Sequence, residues 1–353
     1  EQLAEYLSEG LVQKGYSVWV YSPKTHSYQK SEFNGVTLIH CANPEKELGL
    51  FGQFIYDFLC ILDSRKRDFD IILQLGYTSN AIWNWLYNRK AKIVTNTDGL
   101  EWKRKKYHWL VRQFLKFSER LIIRGSHHLI ADSMAIREYI QKKYHKNPTF
   151  IPYGADPFFP SGESRISPLG LKPYRFYLMA ARLQPDNHVE EIIRGVIGSG
   201  TDYPLLIAGN TDNGYARKIR RKYQSASVRF AGGIYDQELL NHLRYYSAVY
   251  FHGHSAGGTN PSLIEAMAGS CRICAHNNPF NREVLGKNAF FFSTPKDISK
   301  LLRKNLEENL WNSQTERNLE KVKTTYGKQK IINQYADLFQ EIHAEANRLL
   351  NKN

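Results

Sequence analysis

The chain has 353 residues, of which 42% are hydrophobic and 23% are charged. This length indicates about two domains, and the composition excludes a disordered or collagen-like chain. The formal net charge of +14, from 48 basic against 34 acidic residues, predicts attraction to polyanions. The candidates are nucleic acid, an anionic membrane surface and a phosphate-bearing small molecule.

Targeting signals and the number of cysteines indicate the cellular compartment of the protein. No apolar run approaches the roughly 18 residues of a membrane-spanning helix, and no signal peptide is visible. Four cysteines are too few for a disulfide scaffold, so we expect a reducing, cytoplasmic compartment. The chain opens with an amphipathic helical pattern at 1–16. Because a Rossmann-like lobe begins with a strand and a Gly-rich turn, we expect the first strand to precede Glu1.

The first half of the chain alternates short β-rich runs with helical patterns. Strands are predicted at 17–22, 36–40, 70–75, 92–96 and 128–131, and helices near 49–66, 78–89, 103–125 and 133–144. Such alternation predicts a parallel sheet covered on both faces. Ligands of these sheets bind beyond the carboxyl ends of the strands.

The second half repeats this alternation. Strands are predicted at 175–180, 204–208, 227–230, 248–252, 272–275 and 289–292, and helices near 188–199, 213–224, 236–245 and 261–269. The Pro- and Gly-rich segment 151–160 separates the two halves. We therefore predict an α/β protein with doubly wound domains at 1–153 and 154–325 and a ligand in the cleft between them. The helical pattern at 326–353 either caps the sheet or crosses back to the first domain.

The segment 248–270 is the most informative. A β-rich run ends at His252, and a loop of small residues leads into a helical pattern that begins at Pro261. A Gly-rich loop before a helix binds phosphate, because its backbone amides point outward and the helix dipole favours negative charge. The loop residues expected to contact a diphosphate are Gly258, Thr259 and Asn260. Glu265, one turn into the helix, is a candidate acceptor for ribose hydroxyls.

This order of strand, loop and PSLIEAMA helix resembles the C-terminal lobe of family 4 retaining glycosyltransferases. Those enzymes have the GT-B fold, in which two Rossmann-like domains face each other across a cleft. The family pattern contains two glutamates separated by seven residues, and Glu265 matches the second. Gly257 occupies the position of the first, so half of the motif is missing. The resemblance then assigns the contacts to the donor sugar to neighbours such as His254 or Ser255.

Other segments resemble the family in the same order. ARLQPDN at 181–187 matches a stretch in which an arginine and a lysine hold the donor diphosphate. Arg182 matches the arginine, which suits bidentate phosphate binding. Asn187 occupies the lysine position and supplies no charge. Gly209 lies in LLIAGN, which resembles the loop after the next strand, and 228–240 resembles the loop that contacts the base.

Two longer segments are similar to a subgroup, the bacterial rhamnosyltransferases that build surface polysaccharides. They are TNTDGLEWKRKKY at 95–107 and HGHSAGGTNPSLIEAM at 252–267. The resemblance implies a retaining hexosyltransferase without metal or cofactor. It implies dTDP-L-rhamnose as donor and a saccharide, in the best interpretation lipid-linked, as acceptor.

The missing glutamate and lysine leave two alternatives open. One is a non-catalytic component of a polysaccharide assembly complex that binds nucleotide sugars or saccharides. The other is a sugar-nucleotide epimerase with the GT-B fold.

Asp98 follows the predicted strand at 92–96 and has two open interpretations. Together with Glu101 it would bind sugar hydroxyls or assist proton transfer as a catalytic residue. Alternatively, it would cap the N-terminus of the basic helix that follows, because Asp is a favoured residue at that position.

The basic run at 103–124 has two interpretations as well. Trp109, Leu110, Phe114 and Phe117 lie between its cations at helical spacing. The run is either a solvated helix face or a helix that binds acidic lipids at the inner face of the cell membrane. No nucleic-acid-binding motif appears, so nucleic acid is not an expected partner.

Three short motifs are expected to be structural. Cys271 and Cys274 form a single CxxC, which we interpret as core thiols, not zinc ligands or a redox pair. The DFD at 68–70 resembles the metal-binding pair of another glycosyltransferase fold, but it precedes a strand and is interpreted as a turn. The histidines at 127–128 lie where a strand begins.

Overall fold

The computed structural model describes residues 2–104, 107–255, 257–304 and 308–350. The chain forms two compact units. The first unit comprises Glu1–Trp102, His108–Pro152 and Lys328–Asn353, and the second comprises Lys103–Tyr107 and Tyr153–Gly327. The chain therefore leaves the first unit after Pro152 and returns to it at Lys328.

Strands and helices alternate along most of the described chain. The strands are β1 (Trp19–Pro23), β2 (Glu32–Phe33), β3 (Val36–Cys41), β4 (Ile71–Leu75), β5 (Lys92–Asn96), β6 (His128–Ala131), β7 (Thr149–Phe150), β8 (Tyr177–Ala180), β9 (Leu205–Ala208), β10 (Val228–Gly232), β11 (Val249–His252), β12 (Ile273–His276) and β13 (Phe290–Phe292). The helices are α1 (Gln2–Gln13), α2 (Glu45–Leu48), α3 (Leu50–Ser64), α4 (Trp109–Gly125), α5 (Met134–Tyr144), α6 (Val189–Ser199), α7 (Gly214–Tyr223), α8 (Gln237–Tyr246), α9 (Pro261–Ala268), α10 (Pro279–Leu285), α11 (Pro295–Arg303), α12 (Glu308–Lys321) and α13 (Lys328–Leu350).

The first unit contains two sheets. One has the order β1-β3-β2, in which β3 is parallel to β1 and antiparallel to β2. The other has the order β4-β5-β6-β7 and is parallel throughout. The centre of this sheet is apolar on both faces, as parallel strands require, and Val94, Ile130 and Ala131 are fully buried.

The helix α13 completes the first unit. It packs against α1, and the hydroxyl of Tyr16 donates a hydrogen bond to the carbonyl of Ala336 at 3.2 Å. The amide of Asn96, at the end of β5, donates to the buried hydroxyl of Tyr335 at 3.2 Å. The last helix therefore packs against the first helix and against the end of a central strand.

The second unit has one parallel sheet of six strands in the order β10-β9-β8-β11-β12-β13. Tyr177 of β8 is aligned with Leu205 of β9 and Val249 of β11. Every residue of β8, β9 and β11 is buried, because helices cover both faces of the sheet. The order turns from β8 toward β9 on one side and toward β11 on the other, which is a doubly wound arrangement.

Two helix predictions in the first half are wrong in detail. The segment near 78–89 forms a 3-10 helix at Asn80–Leu86, where Trp83 donates a hydrogen bond to the carbonyl of Phe54 at 3.0 Å. Tertiary contacts of this kind override local helix propensity. The helix near 103–125 begins only at Trp109, and Glu101–Lys103 forms a separate 3-10 helix before it.

The short motifs have structural surroundings. Cys271 and Cys274 are buried free thiols, and burial raises the pKa of the Cys271 thiol to about 12. Residues 68–70 lie in the connection between the turn at 65–66 and β4, so the DFD segment precedes a strand, as expected. The ring of His127 accepts a hydrogen bond from the backbone amide of Ile93 at 3.0 Å. Within the described ranges, no helix has the length and apolar character to cross a membrane.

Candidate functional site

The ends of two neighbouring strands bring the predicted site residues of the second unit together. β8 and β11 are adjacent and parallel, so their carboxyl ends lie at the same edge of the sheet. The turn at 181–187 follows β8, and the loop at 253–260 follows β11. We call these two segments the strand-end cluster.

Direct hydrogen bonds join the two segments. The backbone amide and the hydroxyl of Ser255 both donate to the carbonyl of Asp186, at 3.1 and 2.9 Å. The ring nitrogen Nδ1 of His254 lies 3.0 Å from Oδ1 of Asn187. The loop is thereby fixed to the turn by both backbone and side-chain contacts.

Asn187 bridges Arg182 and His254. Its Nδ2 donates to the carbonyl of Arg182 at 2.6 Å, which leaves Oδ1 to accept from the histidine ring. His254 therefore carries its proton on Nδ1 in this contact. Asn187 is buried and connects the two segments. The position that is a lysine in the family that the sequence resembles therefore has an uncharged, bridging side chain here.

The side chain of Arg182 has a different environment. It is exposed, and its guanidinium makes no hydrogen bond or ion pair with the described part of the chain. An unpaired guanidinium at the carboxyl edge of a parallel sheet is suited to bind a phosphate through two parallel hydrogen bonds.

Two glycines allow the strand ends to approach each other. A Cβ at Gly253 would lie 1.9 Å from the carbonyl oxygen of Asn187. A Cβ at Gly209 would lie 2.1 Å from the carbonyl oxygen of Ala181. Both neighbours are backbone atoms that cannot rotate away, so only glycine fits at these positions.

Gly257 occupies the position of the first glutamate in the pattern that the sequence resembles. Its φ of 118° lies in a region that L-residues rarely adopt. A glutamate would be strained at this position unless the loop changed its path. Gly258 and Thr259 follow as buried residues, and Ala256 lies outside the described residues.

The N-terminus of α9 offers fewer free amides than its sequence indicates. Asn260 caps the helix: its Oδ1 accepts from the amide of Ser262 at 2.9 Å, and its carbonyl accepts from those of Leu263 and Ile264. The side-chain oxygen of Asn260 is therefore already occupied. A diphosphate would have to be held by the loop before α9 and not by its first turn.

Glu265 is partly committed to an ion pair. Its Oε2 bonds the guanidinium of Arg244, which also donates to Oδ1 of Asn241 at 2.9 Å. Arg244 is 1% exposed. Sequence reasoning missed this residue, because an arginine in a helix next to two tyrosines is usually solvated. Glu265 keeps only Oε1 for a ribose.

His252, the last residue of β11, was also missed as a site residue. It is buried, and its Nε2 has no hydrogen-bond partner among the described residues. Burial holds the pKa of its ring well below 6.5, and His254, Arg244 and His276 lower that pKa further. His252 is therefore a neutral ring beneath the strand-end cluster.

A cavity of about 500 Å³ lies in the first unit, at the carboxyl ends of β4 and β5. Asp98 and Glu101 both line this cavity, which we call the first-unit cavity.

Asp98 has a φ of 46°, and its amide donates to Oδ1 of Asn96 at 3.0 Å. The prediction that Asp98 caps the basic helix is wrong, because α4 begins at Trp109 with His108 in the cap position.

A buried carboxylate supports one wall of the first-unit cavity. Glu119, on the inner face of α4, is 1% exposed. It accepts hydrogen bonds from Tyr77 at 3.1 Å, Trp102 at 2.9 Å, Tyr139 at 2.7 Å, Tyr144 at 2.5 Å and Lys143 at 2.9 Å. Burial alone would raise the pKa of Glu119, but these donors outweigh it and lower the pKa. The donors come from segments far apart in sequence, so no local pattern predicts the cluster.

The outer face of α4 carries large apolar side chains. Trp109, Leu110 and Phe117 are all more than half exposed, whereas Phe114 packs against Phe54 with ring centroids 5.5 Å apart. Arg120 and Arg124 continue the same exposed face. Within the basic run, Lys105 and Lys106 lie outside the described residues.

Among the described residues, no group of three or more His, Cys, Asp or Glu side chains is arranged to bind a metal ion.

Solved structures identify the architecture as the GT-B fold. Sucrose-phosphate synthase from Thermosynechococcus elongatus matches with a TM-score of 0.80 and 16% identity, over 96% of this chain and 92% of that one. The trehalose 6-phosphate synthase of Burkholderia multivorans matches with a TM-score of 0.72 and 11% identity, over 98% and 94%. HepE of Anabaena, in complex with UDP-glucose, matches with a TM-score of 0.69 and 16% identity, over 87% of both chains.

Family models divide the chain near the boundary between the two units. Residues 163–324, within the second unit, match the family described as Glycosyl transferases group 1. Residues 1–156 match a model described as a domain of unknown function, DUF1972. No curated protein sequence matches the chain.

Proposed function

We propose that the chain is a glycosyltransferase that moves a sugar from a nucleotide-diphosphate donor to a saccharide acceptor. The observation that carries the proposal is the strand-end cluster, where Asn187 connects the backbone carbonyl of Arg182 to His254 in the loop at 253–260. The group 1 domain over 163–324 supports this function. The resemblance at 95–107 and 252–267 favours dTDP-L-rhamnose as donor and a lipid-linked saccharide of a bacterial surface polysaccharide as acceptor.

In the proposed mechanism, the leaving diphosphate is stabilised by fixed charges and dipoles. The guanidinium of Arg182 binds the developing negative charge, and the backbone of Gly258 and Thr259 supplies amides beside it. His254 faces the donor sugar, and Oε1 of Glu265 accepts from a ribose hydroxyl. The reaction retains the anomeric configuration and uses no metal, as in the family that the sequence resembles.

Asp98 has the corresponding role on the acceptor side. It lines the first-unit cavity with Glu101. Its carboxylate would orient an acceptor hydroxyl and take its proton during transfer.

A donor panel tests the proposal. The full chain is incubated with dTDP-L-rhamnose, UDP-glucose and other nucleotide sugars, with and without lipid-linked saccharides, and sugar transfer and donor hydrolysis are measured. Arg182→Ala should reduce turnover by about 100-fold, the scale of losing one transition-state contact. Arg221→Ala, at an exposed arginine of α7, is the matched control and should leave turnover unchanged. Absence of transfer and hydrolysis across the whole panel would refute the proposal.

A non-catalytic binding component is the second candidate. It is favoured by the glycine at 257 and by the uncharged side chain of Asn187, which replace a glutamate and a lysine of the resembled pattern. It predicts that nucleotide sugars bind without turnover. Conversion of the donor sugar in the absence of any acceptor would instead indicate an epimerase.

The exposed face of α4 supports a peripheral position at the cytoplasmic side of the membrane. Trp109, Leu110 and Phe117 would enter the interface between headgroups and acyl chains, while Arg120 and Arg124 contact acidic headgroups. Co-sedimentation with anionic vesicles should be strong at low salt and decrease as salt rises. Trp109→Ala combined with Phe117→Ala should weaken it, whereas Tyr235→Ala, at an exposed aromatic of the second unit, should not. Absence of binding to anionic vesicles at low salt would refute this position.

A further inference from the structure

A cavity of about 450 Å³ lies in the second unit, where one face of α7 meets the loop at 211–213. Its lining contains three guanidinium groups, one carboxylate and two uncharged polar side chains. These residues are Arg217, Arg220, Arg221, Asp212, Thr211 and Gln224. Three positive charges against one negative charge give the lining a net charge of +2. We call it the α7 cavity.

Helical spacing places the lining residues of α7 on one side of the helix. Positions i, i+3, i+4 and i+7 share one side of an α-helix, and here they hold Arg217, Arg220, Arg221 and Gln224. The helix packs against the core through the buried residues Ala216 and Ile219, whereas all three arginines are exposed. A row of cations therefore forms one wall of the α7 cavity.

Stabilisation of the helix dipole accounts for only part of this charge. Cations near the C-terminus of a helix are favourable, and Arg220, Arg221 and Lys222 lie in the last turn of α7. Arg217, in contrast, lies at the end of the first turn, where a cation gains nothing from the dipole. Cations at i, i+3 and i+4 also repel one another. A bound anion would remove that repulsion.

Two of the three guanidinium groups keep their donors for a ligand. Within 211–224, a stretch that the structure describes throughout, the side chains of Arg220 and Arg221 make no hydrogen bond or ion pair with any described residue. The next cation along the helix, Lys222, is paired instead: its Nζ lies 2.7 Å from Oε1 of Glu190. The acidic partner near the end of α7 is thus used outside the cavity.

The loop wall of the α7 cavity is held in place. Oδ1 of Asn213 accepts from the amide of Ala216 at 2.9 Å and caps α7, while its Nδ2 donates to the carbonyl of Leu183 at 2.9 Å. The guanidinium of Arg217 donates to the carbonyl of Asp212, which fixes this arginine against the loop. One arginine is therefore positioned before a ligand arrives, and two are available to bind it.

The chemistry of arginine indicates the kind of ligand. Its planar guanidinium donates two parallel hydrogen bonds to a phosphate group, which a lysine ammonium does not. We propose that the α7 cavity binds a phosphate or diphosphate group at a site separate from the proposed donor site. None of its lining residues belongs to the strand-end cluster, and the inference does not depend on the proposed function.

Titration with inorganic pyrophosphate tests the site on the full chain in the Arg182→Ala variant, which lacks the guanidinium proposed to bind the donor. Hydrogen exchange read out by mass spectrometry should show protection of peptides that cover 211–224. Adding Arg220→Gln should weaken pyrophosphate binding by about tenfold or more, because charge-assisted hydrogen bonds are lost. Lys218→Gln removes the same charge from the same helix but lies outside the lining. It should change the affinity by no more than about twofold.

Vesicles distinguish the two sources of such a group, which are the headgroup of an acidic lipid and a soluble phosphate compound. Co-sedimentation is measured with vesicles of phosphatidylcholine that contain phosphatidic acid. A larger loss of vesicle binding in Arg220→Gln than in Lys218→Gln assigns the site to a lipid headgroup. Equal vesicle binding by the two variants, together with the expected difference in pyrophosphate affinity, assigns it to a soluble phosphate compound.

The outcomes keep this inference apart from the proposed function. Pyrophosphate that leaves 211–224 unprotected overturns the inference, and so does an equal loss of affinity in Arg220→Gln and Lys218→Gln. Arg221→Ala should lose pyrophosphate affinity while sugar transfer with soluble substrates is unchanged, and a parallel loss of transfer would contradict the separation of the two sites. Absence of transfer by the wild-type chain would refute the proposed function and leave this inference standing.

Discussion

At the scale of single residues, the pair of Arg244 and Glu265 combines stability with binding. The arginine is almost fully buried and has the carboxylate as its counter-charge. Breaking a buried pair by removing one partner costs more than replacing both partners with apolar residues, because a lone buried charge is left behind. Glu265 is therefore a structural residue even if it also binds a ribose.

We expect Glu265→Ala to lower the free energy of unfolding by about 3–5 kcal/mol, because Arg244 is left unpaired. Glu265→Gln should lose less, since its amide oxygen still accepts a hydrogen bond. Chemical denaturation monitored by circular dichroism measures the change. The double variant Arg244→Met, Glu265→Leu should recover most of the stability but not nucleotide binding. An unchanged denaturation midpoint in Glu265→Ala would contradict this account of the pair.

The neutral ring of His252 predicts a pH dependence. Its folded pKa lies well below 6.5 because of burial, so the unfolded chain binds a proton where the folded chain does not. Its contribution to stability is therefore complete above about pH 6.5 and decreases as the pH falls below that value. His252→Phe should flatten the dependence of the free energy of unfolding on pH between about 7 and 5. His26→Asn, at an exposed histidine, serves as the control, and an equal slope in wild type and His252→Phe would refute the prediction.

At the scale of elements, the strand-end cluster depends on close backbone approach. The loop at 253–260 and the turn at 181–187 touch through main-chain atoms at Gly253. Any side chain at this position has to separate the two segments, and the distance between Arg182 and the loop then increases.

Gly253→Ala should therefore weaken nucleotide-sugar binding by more than about tenfold, since its Cβ would lie 1.9 Å from the carbonyl oxygen of Asn187. Isothermal titration with nucleotide sugars measures the effect. The matched control is Gly214→Ala at the start of α7, where a Cβ meets nothing within 4 Å. Unchanged affinity in Gly253→Ala would show that the close approach is not needed for binding.

The sequence predicts the main elements because each follows a local pattern. Apolar four-residue runs such as β8 and β11 are typical of strands buried on both faces, and most predicted strand limits lie within two residues of those observed. The two-residue strands β2 and β7 are too short to produce a pattern. The 3-10 helix at Asn80–Leu86 depends on contacts with α3 that no window of sequence contains.

The candidate site likewise contains residues that local sequence motifs predict and residues that they do not. Arg182 and the loop at 253–260 stand in contiguous motifs, and the sheet brings them together. The sequence does not predict that Asn187 bridges Arg182 and His254 or that Asn260 caps α9, because both roles depend on hydrogen bonds formed in the folded structure. Arg244 and Glu119 were missed because their partners come from segments distant in sequence.

At the scale of the whole molecule, the proposed donor site belongs to the second unit alone. Tyr153–Gly327 is one continuous stretch with its own six-stranded sheet. A ligand that binds only the folded form of this unit stabilises it by mass action.

A nucleotide sugar at about 100 times its dissociation constant should stabilise the second unit by about 2.7 kcal/mol. Hydrogen exchange read out by mass spectrometry measures where this happens. Peptides that cover 181–187 and 253–260 should gain the most protection, and those from α13 should gain little. Protection confined to the first unit would refute the assignment of the donor site.

The return of the chain at Lys328 has a consequence for biosynthesis. The apolar face of α13, including Ile331, Tyr335 and Phe339, is buried in a unit whose other residues are translated much earlier. On the ribosome, the half that emerges first has to wait for the last helix before its surface is covered. Tyr153–Gly327 can meanwhile reach its native state during elongation. We therefore expect the second unit to fold before the first, and chaperones to bind the half of the chain that is translated earlier.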